Sequence, residues 1–237
     1  MSTHRVDAFW AYDFFNCAMS DFRGGRDIVR PHSFLSGYHG VFIMKAFGKF
    51  IVSAPEDKVE IFDRIANRGN DLFDPALLQR RLKDSFAAYI GPSWLGYPRH
   101  GHAYEGPEHV YVLPKVDKRR SLVFERLKIS CDETEWSHSG IDEASEHIAV
   151  QFLGDEIVSA ASYEKWGDKL AHIGVITHPQ FRNRGYAKNV LASITGFVHR
   201  QGFIPQYRTL SANTPAVKAA VQCGYEEYAS HIAIRLK

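Results

Sequence analysis

The spacing of hydrophobic positions changes several times along the chain, and each change predicts a different element. Over residues 7–22 the apolar side chains recur at helical spacing, which predicts one aromatic-rich amphipathic helix packed on the core. Residues 41–47 and 49–53 have the pattern of strands, and Gly48 between them predicts a hairpin or a bulged turn. The inward-facing positions of the first helix are predicted to be Phe9, Tyr12, Phe14 and Met19.

Two further helices are predicted before residue 90. Pro55 is followed by two acidic residues, an arrangement typical of a helix start, and the apolar stripe that follows ends before Gly69. Asp74 and Pro75 open the next helix in the same way. Its inward-facing positions are predicted to be Leu77, Leu78, Leu82, Phe86 and Ala87.

The segment 90–101 is rich in Gly and Pro and is not expected to form regular helix. It predicts either a linker or a loop that turns Trp94 and Tyr97 toward a cleft. We therefore expect a domain boundary near residue 105, with an N-terminal α+β region over residues 1–105.

The second half of the chain alternates between strand and helix patterns in the order strand, helix, three strands, helix, strand, helix and a final strand pattern in two segments. This order is typical of an α/β fold. A polar segment over residues 131–140 is predicted to be a loop or a broken helix. The strands are predicted at residues 110–113, 147–153, 156–163, 170–177, 207–212, 225–229 and 232–236, and the helices at 117–129, from 185 to about 200, and from 214 to about 223.

Composition narrows the class of protein. The chain has 237 residues, 45% of them hydrophobic, which supports a folded protein with a sizeable core. A formal net charge of +2 is too small to indicate nucleic-acid binding. No run of 18 apolar residues predicts a membrane span, the first residues lack the pattern of a signal peptide, and three widely spaced cysteines suit a reducing compartment. We expect a soluble cytoplasmic protein with no metal site.

The most informative stretch runs from Ile173 to Ala187. It predicts a strand ending near His178, a basic turn, and a helix that begins near Gly185. The turn contains Arg182-x-x-Gly185-x-Ala187, in which small residues let backbone amides approach a ligand closely at a helix N-terminus. With Arg182 and Arg184 beside it, this turn predicts a phosphate or pyrophosphate site. The alternative is an ordinary loop with two solvated arginines.

The residues around this turn carry a resemblance to a known family. The strand and turn at 175–187, the segment Asn213-Thr-Pro-Ala216 and the segment Cys223-Gly-Tyr225 together resemble the GNAT superfamily of acetyl-CoA-dependent N-acetyltransferases. The resemblance covers about residues 108–237. It implies a GNAT-like α/β (α+β) fold, with a mixed central sheet flanked by helices over residues 106–237, and acetyl-CoA as co-substrate. Residues 1–105 would then be an additional region, either a decayed GNAT-like half or a wall of the acceptor site.

The resemblance also implies roles for individual residues. The end of the strand pairs with the pantetheine arm, the amides of the turn hold the pyrophosphate, and Arg182 occupies the motif's Gln/Arg position. Ala187 replaces the commoner glycine, a substitution that the family tolerates, and Asn213 matches an asparagine that contacts the cofactor besides capping its helix. The residues implied in donor binding are Val175, Ile176, Thr177, Arg182, Asn183, Arg184, Gly185, Tyr186, Ala187, Lys188 and Asn213.

The chain departs from the family where the catalytic groups usually lie. The position of the tyrosine acid is Ala220, and the position of a frequent glutamate is Arg208. Glu135 is our candidate base, since the neighbouring Trp136 is expected to raise its pKa; the alternative is a solvated acidic loop. Trp136 and Arg208 are candidate substrate contacts, with Arg208 pairing either a substrate carboxylate or a neighbouring acid. His172 is interpreted as a core or surface histidine.

Three functions are consistent with these observations. The first is an enzyme that transfers acetyl from acetyl-CoA to a primary amine of a small molecule by direct attack. The second is an acetyltransferase acting on a protein or aminoacyl amine, and the third is a non-catalytic acyl-CoA-binding regulatory module. The expected partners are acetyl-CoA and an amine acceptor, without nucleic acid or membrane, and homodimer formation is left open.

Overall fold

The structure is a computed structural model that describes residues 3–100 and 104–237. Its fold is mixed α/β, as predicted, and its described residues form ten strands. The chain divides into two compact units. One comprises Gly96–Thr209 and Asn213–Glu226, and the other comprises the residues before Gly96 together with Leu210–Ala212 and Glu227–Lys237.

The unit that contains the basic turn is built on five strands. Strands β5 to β8 pair antiparallel in succession, and β9 pairs parallel with β8. A parallel neighbour requires a crossover, which the helix α7 supplies. The five strands are β5 (Val110–Pro114), β6 (His147–Leu153), β7 (Glu156–Trp166), β8 (Leu170–Thr177) and β9 (Ile204–Leu210), and the helices are α5 (Arg119–Ser130), α6 (Glu133–His138), α7 (Tyr186–Arg200) and α8 (Thr214–Gln222).

Helices cover both faces of these strands, and alternation along β6 separates the two faces. Ile148 and Val150 pack with α5 in a core cluster. His147 and Gln151 point to the other face, where the first stacks near Phe197 of α7 and the second accepts a hydrogen bond from Asn189. The cluster on the α5 face consists of Leu113, Val123, Phe124, Leu127, Ile148, Val150, Ile157, Ala160 and Ile176.

The pairing of β8 with β9 ends before either strand does. The ladder runs from Leu170 opposite Ile204 to Ile173 opposite Tyr207. β8 then continues to Thr177 without a paired residue in β9. The segment 174–177 therefore has one edge that is not covered by the neighbouring parallel strand.

The other unit has its own core. β2 pairs antiparallel with β3 and with β10, and β1 pairs parallel with β3. The helices α3 and α4 contribute Phe62, Leu78 and other buried side chains to one cluster with these strands. The elements are α1 (Thr3–Ala8), a π-helical turn (Phe9–Phe14), α2 (Met19–Arg23), β1 (Ile28–Pro31), β2 (Gly40–Ala46), β3 (Lys49–Ala54), α3 (Glu56–Ala66), α4 (Pro75–Leu82), β4 (Phe86–Pro98) and β10 (Tyr225–Leu236); β4 and β10 extend into both units.

The prediction of one helix over residues 7–22 is wrong. Helical structure stops after Phe14 and resumes at Met19, with Asn16 at a positive φ of 48° between them. Phe14 and Phe15 are both fully buried, so the segment buries neighbouring positions rather than a single stripe, which one straight amphipathic helix does not do. Tyr12, which was predicted to face inward, is exposed.

The prediction of a loop over residues 90–101 is also wrong. Residues 86–98 form β4, which includes a cis Gly91–Pro92 bond, and Trp94 and Tyr97 are buried. Glycine is needed here because a Cβ at Gly91 would lie 2.9 Å from the carbonyl oxygen of His231. Phe86 and Ala87 consequently begin this strand instead of ending α4, and Gly101 lies outside the described residues.

Smaller differences concern the limits of elements. The polar segment 131–140 contains the helix α6, β9 begins at Ile204, and residues 225–236 form one strand rather than two. Along α5, Val123 and Leu127 are buried, whereas Leu122 is exposed. Within the described ranges, no helix is both long and apolar enough to cross a membrane.

Candidate active site

The predicted anion-binding turn connects β8 to α7. After Thr177, a short 3₁₀ turn over Pro179–Phe181 leads into Asn183 and Gly185, which both have positive φ, 63° and 85°. Asparagine and glycine are the residues that adopt this conformation at the lowest cost. The sequence of the turn therefore matches its backbone, and it ends at Gly185 as the N-cap of α7.

The first turn of α7 is open to an anion. Gly185 has no side chain to accept hydrogen bonds from the first amides of the helix, and the positions from Arg182 to Gly185 are exposed. The first turn, which the structure describes in full, contains no acidic residue, whereas Arg184 and Lys188 place positive charge beside it. These features fit a pyrophosphate group, which amides and cations at a helix N-terminus stabilise.

Arg182 is held by Glu135 of α6. Its Nη1 and Nη2 donate to the two carboxylate oxygens at 2.6 and 2.9 Å, and its Nε donates to the carbonyl oxygen of Thr177 at 3.2 Å. Glu135 also completes a capping box with Asp132 at the start of α6. The contact was not predicted, because residues 135 and 182 are far apart in the sequence.

This ion pair corrects the expectation for Glu135. The hydrogen bond from Arg182 lowers the pKa of Glu135, so the prediction that Trp136 raises it is wrong. Trp136 packs instead against the core cluster on the α5 face, with the ammonium of Lys128 5.6 Å from its ring centroid. A carboxylate with a lowered pKa is a weaker proton acceptor than the predicted base requires.

The end of β8 lies against the segment that follows α6. The amide of Val175 donates to the carbonyl oxygen of Ser139 at 3.0 Å. Gly140 and Gly174 are in close contact, and a Cβ on Gly174 would collide with the carbonyl oxygen of Gly140. Val175 is one of the strand residues predicted to pair with pantetheine. Its amide is therefore already hydrogen-bonded to another residue of the protein.

The other two predicted strand residues have partners on β7. Ile176 is buried in the core cluster and its backbone is in register with Ala160. The hydroxyl of Thr177 hydrogen-bonds to that of Ser159 at 2.8 Å. Val175 to Thr177 thus lie next to the turn with Arg182, as the sequence predicts. In the structure they are held by contacts with Ser139 and with β7.

A row of polar side chains, exposed at Glu164 and buried at the other two positions, crosses three strands on the α6 side of the sheet. His172 of β8 is in register with Glu164 of β7 and with Gln206 of β9. His172 and Gln206 are buried, and burial together with the nearby charge of Arg208 lowers the pKa of His172 well below its usual value. This row was not predicted: His172 was interpreted as a core or surface histidine, and its neighbours on β7 and β9 are known only from the register of the strands.

Arg208 lies at one end of this row. Its guanidinium carbon is 5.2 Å from the ring centroid of Trp166, and the Trp166 ring is 5.8 Å from the ring of His172. The indole Nε1 of Trp166 donates to Glu164 at 3.2 Å. Arg208 is half-buried, so its charge is only partly solvated.

Comparison with known proteins decides the family. The model of the acetyltransferase (GNAT) family matches residues 108–225. Through this segment, the chain belongs to the GNAT acetyltransferase family. Membership implies an enzyme that uses acetyl-CoA. The match covers β5 to α8 and therefore contains the turn, the polar row and the ion pair described above.

Two solved structures are similar to this chain at low sequence identity. An acetyltransferase from the GNAT family from Colwellia psychrerythraea is 18% identical, with 78% of this chain and 75% of that chain covered at a TM-score of 0.49. A GCN5-related N-acetyltransferase-like protein from Streptococcus suis 89/1591 is 17% identical, with 86% and 90% covered at a TM-score of 0.47. The comparison with curated proteins finds no match.

Ala220 and Asn213 have plain structural roles in this GNAT chain. Ala220 is fully buried in α8, and burial raises the pKa of Tyr207 and of Tyr225. Tyr225 shares a hydrogen bond with Thr195 at 2.7 Å. Asn213 caps α8 by accepting from the amide of Ala216 at 3.3 Å, as predicted from its position before proline.

Proposed function

We propose that this GNAT enzyme transfers the acetyl group of acetyl-CoA to a primary amine of a small molecule. The observation that carries the proposal is the open first turn of α7 at the end of β8. Its first amides follow a glycine with positive φ, and that fully described turn contains no acidic residue. A diphosphate is the group that such a turn stabilises best.

The donor site that we propose combines three elements. The amides of Asn183 to Lys188 hold the pyrophosphate, and Arg184 and Lys188 neutralise its charge. The segment 174–177 of β8, which β9 does not pair, receives the pantetheine arm next to Val175, Ile176 and Thr177; the amide of Val175 takes no part, because it donates to Ser139. Asn213 remains a proposed contact, and its capping role leaves its side-chain amide nitrogen available to a ligand.

Bound acetyl-CoA supplies a thioester carbon that the acceptor nitrogen attacks. A C–N bond forms and the C–S bond breaks. The sulfur leaves with the electron pair as the thiolate of CoA. The protein's part is to orient the two reactants. The amine proton passes to solvent in this proposal. We assign Glu135 to the positioning of Arg182 rather than to proton removal, because the ion pair lowers its pKa.

A small acceptor fits the polar row better than a protein substrate does. His172 is 7% exposed and Gln206 is fully buried. Their ligand must therefore reach below the surface, and a compact molecule does so at a lower ordering cost than a polypeptide segment.

The test is to incubate the purified protein with acetyl-CoA and a panel of small primary amines, and to follow the release of free CoA thiol. Peptides with free N-terminal or lysine amines form a second panel. Faster release with small amines than without acceptor supports the proposal. Release with peptides alone would indicate a protein acceptor. Calorimetric binding of CoA without release on either panel would indicate a regulatory module.

A further inference from the structure

The polar row places three side chains of different strands on one face of the sheet. In register, Glu164 lies opposite His172, and His172 lies opposite Gln206. Residues in register on adjacent strands project to the same face about 5 Å apart. This is the face of α6, because Ile176 belongs to the core cluster there and alternation puts His172 on the same side.

Two buried polar atoms of this row have no hydrogen-bond partner among the described residues. They are Nδ1 of His172 and Oε1 of Gln206. Gln206 is anchored at its other end, where Nε2 donates to the hydroxyl of Tyr97 at 2.6 Å. Buried polar atoms are almost always paired, so two such atoms on neighbouring residues indicate a place where a ligand supplies the missing hydrogen bonds.

The chemistry of these two atoms favours a ligand group that donates hydrogen bonds. The carbonyl oxygen of Gln206 is an acceptor in every state of the residue. His172 is neutral, since burial and the charge of Arg208 disfavour its cation, and a neutral imidazole accepts through one nitrogen. A primary amine carries several N–H groups on one small atom and can donate to both.

Arg208, close to these two residues, favours a second group on the same ligand. Arg208 lies over the face of Trp166, whose ring is close to His172. Arg208 places a positive charge near the two acceptor atoms, and this charge attracts a ligand that carries a negative group besides its amine. A guanidinium fork binds a carboxylate through two parallel hydrogen bonds.

The row is also next to the proposed donor site. It lies one residue before the point where the pairing of β8 with β9 ends, at Ile173 and Tyr207. The segment 174–177, which begins there, is the strand edge that the proposed function assigns to the pantetheine arm. An amine bound by His172 and Gln206 would therefore lie beside the strand that we propose orients acetyl-CoA.

We propose that His172, Gln206 and Arg208 form the acceptor site, and that its substrate is a small primary amine that also carries a carboxylate, as an amino acid does. This inference rests on the proposed function and names its substrate class. His172 and Gln206 bind the nitrogen, and Arg208 binds the carboxylate. The residues touch the acceptor and leave acetyl-CoA binding to the turn before α7.

The experiment compares matched acceptors that differ only in the carboxylate, such as an α-amino acid and the amine left by its decarboxylation. We expect kcat/KM for the carboxylate-bearing member to be at least about tenfold higher, the ratio that corresponds to about 1.4 kcal/mol. Arg208→Gln should abolish this preference and Arg208→Lys should retain part of it. The matched control is Arg200→Gln, at the exposed end of α7, which should keep the full preference.

The two amine-binding residues have a separate readout. His172→Phe should lower kcat/KM for both members of each pair while the calorimetric Kd for acetyl-CoA stays within about twofold, which also shows that the variant is folded. Equal rates for the paired acceptors, or a preference that survives Arg208→Gln, would overturn the inference and leave acetyl transfer standing. Failure of every amine to release CoA would overturn both proposals.

Discussion

The carboxylate of Glu135 binds the guanidinium of Arg182 through both oxygens, at 2.6 and 2.9 Å. The pair joins α6 to the turn that begins the proposed donor site. Both side chains remain more than a third exposed, so the pair contributes only about 0–1 kcal/mol to stability. Because opening it costs little, we propose that Arg182 exchanges this carboxylate for a phosphate when acetyl-CoA binds.

This relationship predicts the behaviour of Glu135→Gln. If Glu135 only positions Arg182, kcat should stay within about threefold of the wild type, whereas loss of a general base typically lowers it by about 10²–10⁴-fold. The KM for acetyl-CoA should fall by up to about fivefold, since the cation of Arg182 is no longer neutralised. Steady-state kinetics with varied acetyl-CoA measure both quantities.

The control for Glu135→Gln is Glu133→Gln, an exposed acid on the same helix that should leave both quantities unchanged. A fall of kcat by two orders of magnitude in Glu135→Gln alone would instead assign proton removal to Glu135.

A pair of glycines tests the role of the turn. Gly185 precedes α7 and Gly154 lies in the turn between β6 and β7, and both have positive φ, 85° and 60°. A Cβ at either position meets no described atom within 4 Å, so alanine adds backbone strain of about 1–2 kcal/mol without a collision. Both variants should lose similar thermal stability.

Only Gly185→Ala should weaken donor binding, by about tenfold in Kd measured by calorimetry, because only that strain moves the amides of the proposed pyrophosphate site. Equal donor affinity in the two variants would show that these amides do not hold the donor.

Burial of histidines predicts a pH dependence of stability. The pKa of His172 is lowered in the folded protein by burial and by Arg208, and the pKa values of His32 and His147 are lowered by burial. Below the unfolded pKa of about 6.5 the unfolded chain binds protons that the native state does not. Stability is therefore fully present above about pH 6.5 and decreases as the pH falls below it.

For His172 the slope reaches about 1.4 kcal/mol per pH unit. Thermal unfolding between pH 7.5 and 5.5 should show this decrease, and His172→Phe should make it shallower. His199→Gln, at an exposed position, is the control and should keep the wild-type slope. A slope that is the same in His172→Phe and the wild type would contradict the assignment of a neutral, buried His172.

The elements that the sequence predicted well are those whose signals are local. β6 and β8 have the predicted bounds, and α7 begins after Gly185, because alternation and a helix start are contained within a few residues. Asn213 was identified as an N-cap for the same reason. The family resemblance rested on such local motifs and is confirmed over residues 108–225.

The features that escaped prediction depend on neighbours distant in sequence. Glu135 and Arg182 meet only when α6 packs beside the turn, and His172 and Gln206 meet only through the register of β8 with β9. The Gly-Pro segment in β4 was assigned to a loop because its composition disfavours regular structure, but the close approach of another backbone at Gly91 fixes a strand there. The boundary near residue 105 remains a prediction.

The central claim, direct transfer of acetyl from acetyl-CoA to an amine, is tested most directly by a single turnover with isotopically labelled acetyl-CoA. Excess protein is mixed with the labelled donor and an amino acid, and the label is located by mass spectrometry of the intact protein and of the small molecules. We predict that all of the label appears on the acceptor nitrogen and none on the protein, including the half-buried thiol of Cys131. Label that appears as free acetate, or first on the protein, would contradict the account.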